Sequence, residues 1–500
     1  MRYRSTRQSG VADGTSVDFE TAVLNGLAPD GGLYVPMAFP RLSDAALRGL
    51  RGQPFAAVAV EVLRPFVAPS LDEAALRGFC DAAWSTFDDA DVAPLRRLEG
   101  FDGGSTAMSG VGAADEVYLL ELFHGPTLAF KDVALQLLGH LFTAFLGRRG
   151  KRATILGATS GDTGSAAIAG CGGRDGIEIV ILHPFERTSA IQRRQMTTRL
   201  DDNVHNLAVR GTFDDCQAIV KTLFNDEQAR RRFDLAAVNS INIARVLAQI
   251  VYYVSAAVAL GAPDRALRFC VPTGNFGDVL AGHWARRLGV PIDRLIVATN
   301  SNDILARTLS TGRYQRGAVQ PTLSPSMDIG VSSNFERLLF EVWGDDAAHV
   351  RAAMAELDAS GGFAVGDDAL QRLRAGFAAA RCDDAQTSAR IAQTYREHGL
   401  LVDPHSAVAL DVAARWLAQQ RVLAADRGPR AQQLGDTPPM VVLSTAHAAK
   451  FPDAVYAATG ATPALPAALA DLASRPERYT VVDNDVAAVR AYLAQHISAG

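Results

Sequence analysis

The chain has 500 residues, of which 48% are hydrophobic, enough for full-sized cores and a length that suggests about three domains. Its 54 acids against 49 Lys plus Arg leave a net charge of -5, which argues against a nucleic-acid binder, for which a basic patch is expected. Cys80, Cys171, Cys216, Cys270 and Cys382 are scattered singly, with no CxxC pair and no histidine at metal-ligand spacing, as in a cytosolic protein with reduced core thiols and no metal site.

In chain order, the N-terminal MRYRSTRQSG is basic but lacks the apolar stretch of a secretory signal. Residues 1–100 read as a separate, mostly helical cap domain, with a turn-rich stretch at Gly26–Pro36 and helical patterns over Ser43–Leu50, Phe55–Phe66 and Asp72–Phe87. Phe101–Ala114 is rich in Gly, Ser and Ala and reads as a surface loop or linker. From Glu116 onward strands and helices alternate. The candidate strands are Glu116–Leu122, Ala153–Leu156, Ile177–Leu182, Val204–Val209, Leu267–Val271, Arg294–Ala298 and Met440–Ser444. This alternation predicts a doubly wound α/β architecture, split into one lobe at 101–240 and a second at 241–500. Val246–Ala262 is strongly apolar but interrupted by Gln249 and Ser255, which predicts a core helix rather than a membrane span. Arg427–Pro439 reads as a further loop, and no long-period repeat is visible.

The chemistry lies where strands end. ELFHGPTLAFKD, Glu121–Asp132, reads as a strand, a Gly-Pro turn and a lysine opening an amphipathic helix. Side chains at such junctions face the cleft beyond the carboxyl ends of a parallel sheet. An amine at Lys131, held among Phe123, Leu128 and Phe130, would be partly desolvated and so a usable nucleophile and base; the alternative is an exposed first-turn lysine. In ILGATSGDTGSAAIAG (Ile155–Gly170), Thr159, Ser160, Gly161, Asp162 and Thr163 offer hydroxyls and N–H groups at a helix start. They suit a carboxylate or phosphate, or simply a capped helix with Ser160 or Asp162 as the cap. CVPTGNFGDVLAG (Cys270–Gly282) repeats the design with Gly274, Asn275, Phe276, Gly277 and Asp278, a phosphate turn that matches neither a nucleotide-hydrolase loop nor a dinucleotide fingerprint. In VNSINIARVLAQ (Val238–Gln249), Asn239 or Ser240 can cap the apolar helix, and Arg245 can fork onto a phosphate or carboxylate. VVLSTAHAAKF (Val441–Phe451) ends a strand at Ser444 and Thr445, whose hydroxyl can meet a ring nitrogen; His447 and Lys450 read as loop residues. An amine, two anion turns, an arginine and a terminal hydroxyl suit a phosphorylated aldehyde held as a Schiff base, namely pyridoxal 5'-phosphate.

FHGPTLAFKD, ATSGDTGSAA, VNSIN-AR, PTGNFGD and STAH-AKF, in this order and spacing, resemble the longer class of threonine synthases found in fungi and many bacteria. YRSTR (Tyr3–Arg7) and GLAPDGGLYVP match as well, so the resemblance spans residues 1 to about 460. It implies fold type II of pyridoxal enzymes (tryptophan-synthase-β-like), with a cap domain ahead of two α/β lobes. It also implies a lyase that turns O-phospho-L-homoserine and water into L-threonine and phosphate, cytoplasmic, a monomer or homodimer, with no nucleic-acid or membrane partner. Carried over by residue, Lys131 bears the cofactor, Gly274, Asn275, Phe276, Gly277 and Asp278 cradle its phosphate, and Thr445 meets its ring nitrogen. Ser160, Gly161 and Thr163 match the loop for the substrate carboxylate, and Asn239, Ser240 and Arg245 the region for the substrate phosphate. Many fold relatives carry asparagine where Asp162 stands, bonded to the cofactor's phenolic oxygen; the longer threonine synthases carry Asp, and its role is left open. The segment after about residue 462 matches nothing and is assigned no function.

Overall fold

The computed structural model describes residues 1–8, 16–101, 115–237, 239–426 and 437–497. The expected loops at Phe101–Ala114 and Arg427–Pro439 lie mostly outside the described residues. Every strand expected between Glu116 and Ser444 forms, within two residues of its expected ends. These strands are apolar on both faces because they sit in largely parallel sheets covered by helices on either side.

The larger sheet has six strands in the order Phe377–Arg381, Ile292–Thr299, Leu267–Pro272, Met440–Ser444, Val117–Glu121 and Leu95–Arg97, parallel except for the last. The smaller has five parallel strands: Thr480–Val482, Val204–Val209, Ile177–Pro184, Ala153–Ala158 and Leu235–Ala236. Sheet membership crosses the lobe boundary drawn from sequence in both directions. Val117–Glu121, from the stretch assigned to the first lobe, pairs with Met440–Ser444 in the larger sheet. Thr480–Val482, from the stretch assigned to the second lobe, extends the smaller sheet beside Val204–Val209. Parallel pairing joins segments distant in sequence, so the local pattern that identifies a strand does not choose its sheet. The strand Phe377–Arg381 escaped notice because its alanines carry little strand preference.

The segment after residue 462 is built into the fold. The helix Val486–His496 packs Val489 and Leu493 with Cys216, Ile219 and Leu223, and Leu469 and Leu472 pack on Leu128 in the turn that leads to Lys131. The N-terminal region adds a small antiparallel sheet, Arg2–Ser5 between Val17–Asp18 and Tyr34–Pro36, to the expected helices. The apolar helix, Ile243–Ala259, is buried on nearly every side, as a helix apolar all round must be. All five cysteines are buried and free. No described helix is long and apolar enough to cross a membrane, and no cluster of metal ligands occurs among the described residues.

One helix crossing governs the site. The helix Lys131–Arg149 meets Asp162–Cys171 at two glycines: a Cβ on Gly139 would overlap the Gly170 carbonyl, and one on Gly170 would overlap the Leu135 carbonyl. Each glycine lies eight residues beyond the first residue of its helix, so this backbone contact sets how far Lys131 stands from Asp162. Gly170→Ala is expected to force the helices apart at a cost of about 1–3 kcal/mol. A thermal unfolding scan should show a midpoint lower by about 1–3 °C.

Candidate active site

After Glu121 the chain turns through Phe123–Phe130 before Lys131 opens its helix. Asp132 ties that turn down, accepting from the Thr127 amide at 2.8 Å and the Thr127 hydroxyl at 2.7 Å. Gly125 is required there, since a Cβ would run into the Asp132 side chain. Leu128 holds a left-handed φ of 61°, and the Phe130 amide donates to the Thr445 carbonyl at 2.9 Å, so the end of one strand secures the turn beyond another. Burial pushes the Asp132 carboxyl up to about 6.

Lys131 is 8% exposed, which excludes the solvated first-turn reading. Its Nζ lies 3.4 Å from Asp162 Oδ2 and 4.8 Å from the centroid of the Phe130 ring. Burial lowers its pKa below the ordinary lysine value; the Lys450 and Arg245 charges act in the same sense and Asp162 in the opposite one.

Asp162 opens its own helix beneath the turn that follows Ala153–Ala158. Neither Ser160 nor Asp162 caps this helix. Thr159 does the work of a cap, its hydroxyl accepting from the Gly161 and Gly164 amides at 2.9 Å each. That frees the Asp162 carboxylate, 4% exposed, for Lys131, Lys450, Gln192 and Ser326. Burial alone would raise its pKa, but Lys450, Lys131, His405 and the Gln192 amide together hold it well below the usual carboxylate range. Gly161 is packed against the Gln192 side chain at φ 152°, Ser160 is exposed and Thr163 half-buried, so the turn presents these two hydroxyls at its rim.

The Gly274–Asp278 turn follows the strand Leu267–Pro272 and leads into the helix Gly277–Leu288. Gly274 passes so close to Ser326 and Met327 that a Cβ would stand 3.0 Å from the Ser326 carbonyl oxygen. Phe276 adopts φ 61° and packs edge-on to Phe335, which bends the turn around the helix N-terminus and its open amides. Asn275 is braced through its carbonyl, which accepts from the Asn334 amide and side chain at 3.0 Å each. The Asp278 carboxylate turns away from the cradle, accepting from Tyr252 and Tyr253 at 2.6 and 2.8 Å, and burial pushes it up to about 6. Only its backbone is available to an anion in the turn.

Asn242, not Asn239 or Ser240, caps the apolar helix: its Oδ1 accepts from the Ala244 amide at 3.0 Å, while its Nδ2 donates to the Val23 carbonyl. Asn239 is exposed, and the Ser240 carbonyl accepts from Asn334 at 3.1 Å. Arg245, one turn in, is 4% exposed, and its Nε and Nη1 have no hydrogen-bond partner. Burial lowers its pKa to about 10, a cation waiting for an anion. Thr445 is buried, its amide donating to the Ser406 hydroxyl at 3.2 Å.

The structure thus gathers Lys131, Asp162, Thr445 and the Gly274–Asp278 turn, linked through Ser326 and Phe130, with Arg245 within electrostatic reach of Lys131. Three contributors went unseen in the sequence. Lys450 is fully buried and 3.0 Å from Asp162 Oδ1. Asn334 joins the Asn275 and Ser240 carbonyls, and Arg337, fully buried, holds Asn334 and donates to the carbonyls of Tyr34 and Ile241. An arginine beside the apolar run Leu338–Phe340 in the helix Phe335–Val342 was the available signal for that brace; for Lys450 there was none.

Three family models match the chain in succession: "Threonine synthase N terminus" over residues 2–84, "Pyridoxal-phosphate dependent enzyme" over 91–366 and "Threonine synthase, C-terminal" over 406–493. The threonine synthase of Pseudomonas aeruginosa is 48% identical over 501 residues, covering 100% of this chain and 99% of its own length. The chain belongs to the threonine synthase family. That of Saccharomyces cerevisiae is 40% identical over 91% of this chain and 88% of its own length. The crystal structure of pyridoxal-phosphate-bound threonine synthase from Brucella melitensis superposes with a TM-score of 0.90 at 47% identity, covering 100% of both chains. The yeast threonine synthase structure gives 0.88 at 37% identity, covering 99% of this chain and 98% of its own. The chain is therefore a pyridoxal-phosphate-dependent lyase of this family, with the fold type II architecture. Its own residues fit the cofactor: a buried amine of lowered pKa for the aldehyde, a glycine-lined helix start for the phosphate, and a buried hydroxyl at Thr445.

With the cofactor bound, the unpaired charge of Arg245 should still draw a second anion. Inorganic phosphate is expected to stabilise the holoenzyme by about 2.7 kcal/mol at a hundredfold excess over its Kd and so to raise its unfolding midpoint. Replacing Arg245 by Met should abolish most of that gain in scanning calorimetry against a chloride control.

Proposed function

We propose that the enzyme converts O-phospho-L-homoserine and water into L-threonine and phosphate, in the cytoplasm, as a monomer or homodimer. The observation that carries this reading is Arg245, a buried guanidinium with two unpartnered nitrogens beside a buried reactive amine. A substrate with a phosphate of its own would supply the missing partner.

Pyridoxal phosphate, when bound, supplies an electron sink for negative charge developing along the carbon chain next to the substrate amine. Lys131 would carry the aldehyde at rest and then, released, take the Cα proton on Nζ and later return one. Its lowered pKa suits both tasks, since the amine must be neutral to accept a proton near pH 7. The Gly274–Asp278 turn would hold the cofactor phosphate, with Asn275 kept in place by Asn334. The rim groups Ser160, Gly161 and Thr163 would bind the substrate carboxylate. Arg245, with the Asn239 and Ser240 turn, would bind the substrate phosphate and neutralise it as it leaves Cγ. In the balance, Cγ exchanges the phosphate oxygen for a hydrogen and Cβ exchanges a hydrogen for the hydroxyl of water. The burial of Lys131 keeps bulk water from the Cα proton while it is in transfer.

Thr445 would meet the ring nitrogen with a neutral hydroxyl. Unlike a carboxylate, it does not hold that nitrogen protonated, which moderates electron withdrawal and limits transamination.

Lys131→Ala is expected to lower turnover by at least about a thousandfold and to remove the visible cofactor band. Persistence of that band would relocate the reactive amine. Thr445→Asp should raise the proportion of 2-oxobutanoate and other by-products per threonine formed, measured by product chromatography.

A further inference from the structure

Lys450 is 0% exposed, and its sequence context gives no local reason for that. It ends the short turn Ala448–Lys450 after the strand Met440–Ser444. Its Nζ lies 2.6 Å from the Thr127 carbonyl oxygen and 3.0 Å from Asp162 Oδ1. Gln192 Nε2 donates to the same carboxylate oxygen at 2.9 Å. The other oxygen, Oδ2, receives Ser326 at 3.0 Å and Lys131 at 3.4 Å. Two amines therefore face one carboxylate, and the nearer of them also has a second acceptor.

We propose that Lys450 is a positioning residue for the reactive amine: by taking up the charge of Asp162 it leaves Lys131 Nζ free to be neutral. This rests on the reading of Lys131 as the reactive amine. One carboxylate neutralises one ammonium. Lys450, with two acceptors in reach, uses the protons of an ammonium well, whereas the lone pair of a neutral amine would find no donor there. Lys131 has a single, longer contact and is the less firmly held of the two amines.

The other charges around the pair leave this order unchanged. Arg245 faces Lys131 as a further cation and favours the neutral amine. Asp278 also faces Lys131; both tyrosine hydroxyls donate to its Oδ1, its Oδ2 has no hydrogen-bond partner, and burial favours its neutral form. His405 faces Asp162, and Asp132 faces Lys450 while accepting twice from Thr127. Among the described contacts only Asp162 hydrogen-bonds Lys131 Nζ. If the Lys450 charge is removed, Asp162 has one ammonium left to pair with, and Lys131 keeps its proton to higher pH.

The test is the rate at which the full-length chain, freed of cofactor, captures pyridoxal phosphate, followed by absorbance across pH. Capture requires the neutral amine, so the rate tracks its fraction. In Lys450→Gln, which keeps a donor for the Thr127 carbonyl, the midpoint should rise by about one pH unit or more, making capture about tenfold slower near neutrality. Lys450→Arg should recover at least half of that shift. In an Asp162→Asn background, which buries no unpaired carboxylate and remains measurable where the single variant does not fold, removing Lys450 should shift the midpoint by less than about half a unit. A folded Lys450→Gln with an unmoved midpoint overturns the proposal, as does a full-unit shift in the Asp162→Asn background. Borohydride reduction and peptide mapping separate the two readings. An adduct away from Lys131 sinks the assignment of the reactive amine, whereas an adduct on Lys131 with an unmoved midpoint sinks only the role of Lys450.

Discussion

A carboxylate as deeply buried as Asp162 survives as an anion only where cations and donors surround it, and here Lys450, Lys131, Gln192 and Ser326 all point at it. Removing one partner from such a cluster leaves a charge stranded in a poorly polarisable interior, typically at about 3–5 kcal/mol. The donors come from four separate stretches of chain, so Asp162 works as a knot between them. Lys131 brings the end of the Val117–Glu121 strand, Lys450 the end of Met440–Ser444, Gln192 the segment after Ile177–Pro184, and Ser326 the loop against the phosphate cradle. The glycine-to-glycine crossing of the Lys131 and Asp162 helices gives this electrostatic knot its length scale. A packing constraint in the backbone thereby becomes a constraint on the protonation of an amine.

A second brace ties the N-terminal region to the same centre. Arg337 reaches the Tyr34 carbonyl on one side and Ile241 on the other while holding Asn334, which in turn holds Asn275 and Ser240. Glu336, the residue before it, accepts from Thr6 and Arg7. The YRSTR segment at the start of the chain is thus connected, through one short helix, to the Gly274–Asp278 turn and to the turn at Ser240. Burial lowers the Arg337 pKa to about 9, and the three acceptors around its guanidinium are what make that burial tolerable.

Much of the fold was legible because periodicity is a local property. The apolar runs at Ile177–Leu182 and Val204–Val209 could be little other than covered strands, and the glycine-rich turns after Ala158 and Pro272 stood out as candidate anion sites from their composition alone. Lys131 could be picked out because it stands at a junction of strand and helix among aromatic residues. The capping residues were misread for a physical reason: Thr159, Ser160 and Asp162 are all competent caps, as are Asn239, Ser240 and Asn242, and the choice among them depends on the angle at which the chain enters the helix.

The sequence by itself determined most of the strands and helices and marked Lys131 and the two glycine-rich turns as candidates, since each depends on residues within a dozen positions of one another. Which sheet Val117–Glu121 joins, where Thr480–Val482 pairs, and that Lys450 is buried against Asp162 were decided only by the tertiary structure. Strand partners and charge partners are selected by the free energy of excluding water from surfaces that meet across the whole chain, and nothing in the spacing around position 450 records what its side chain will find there.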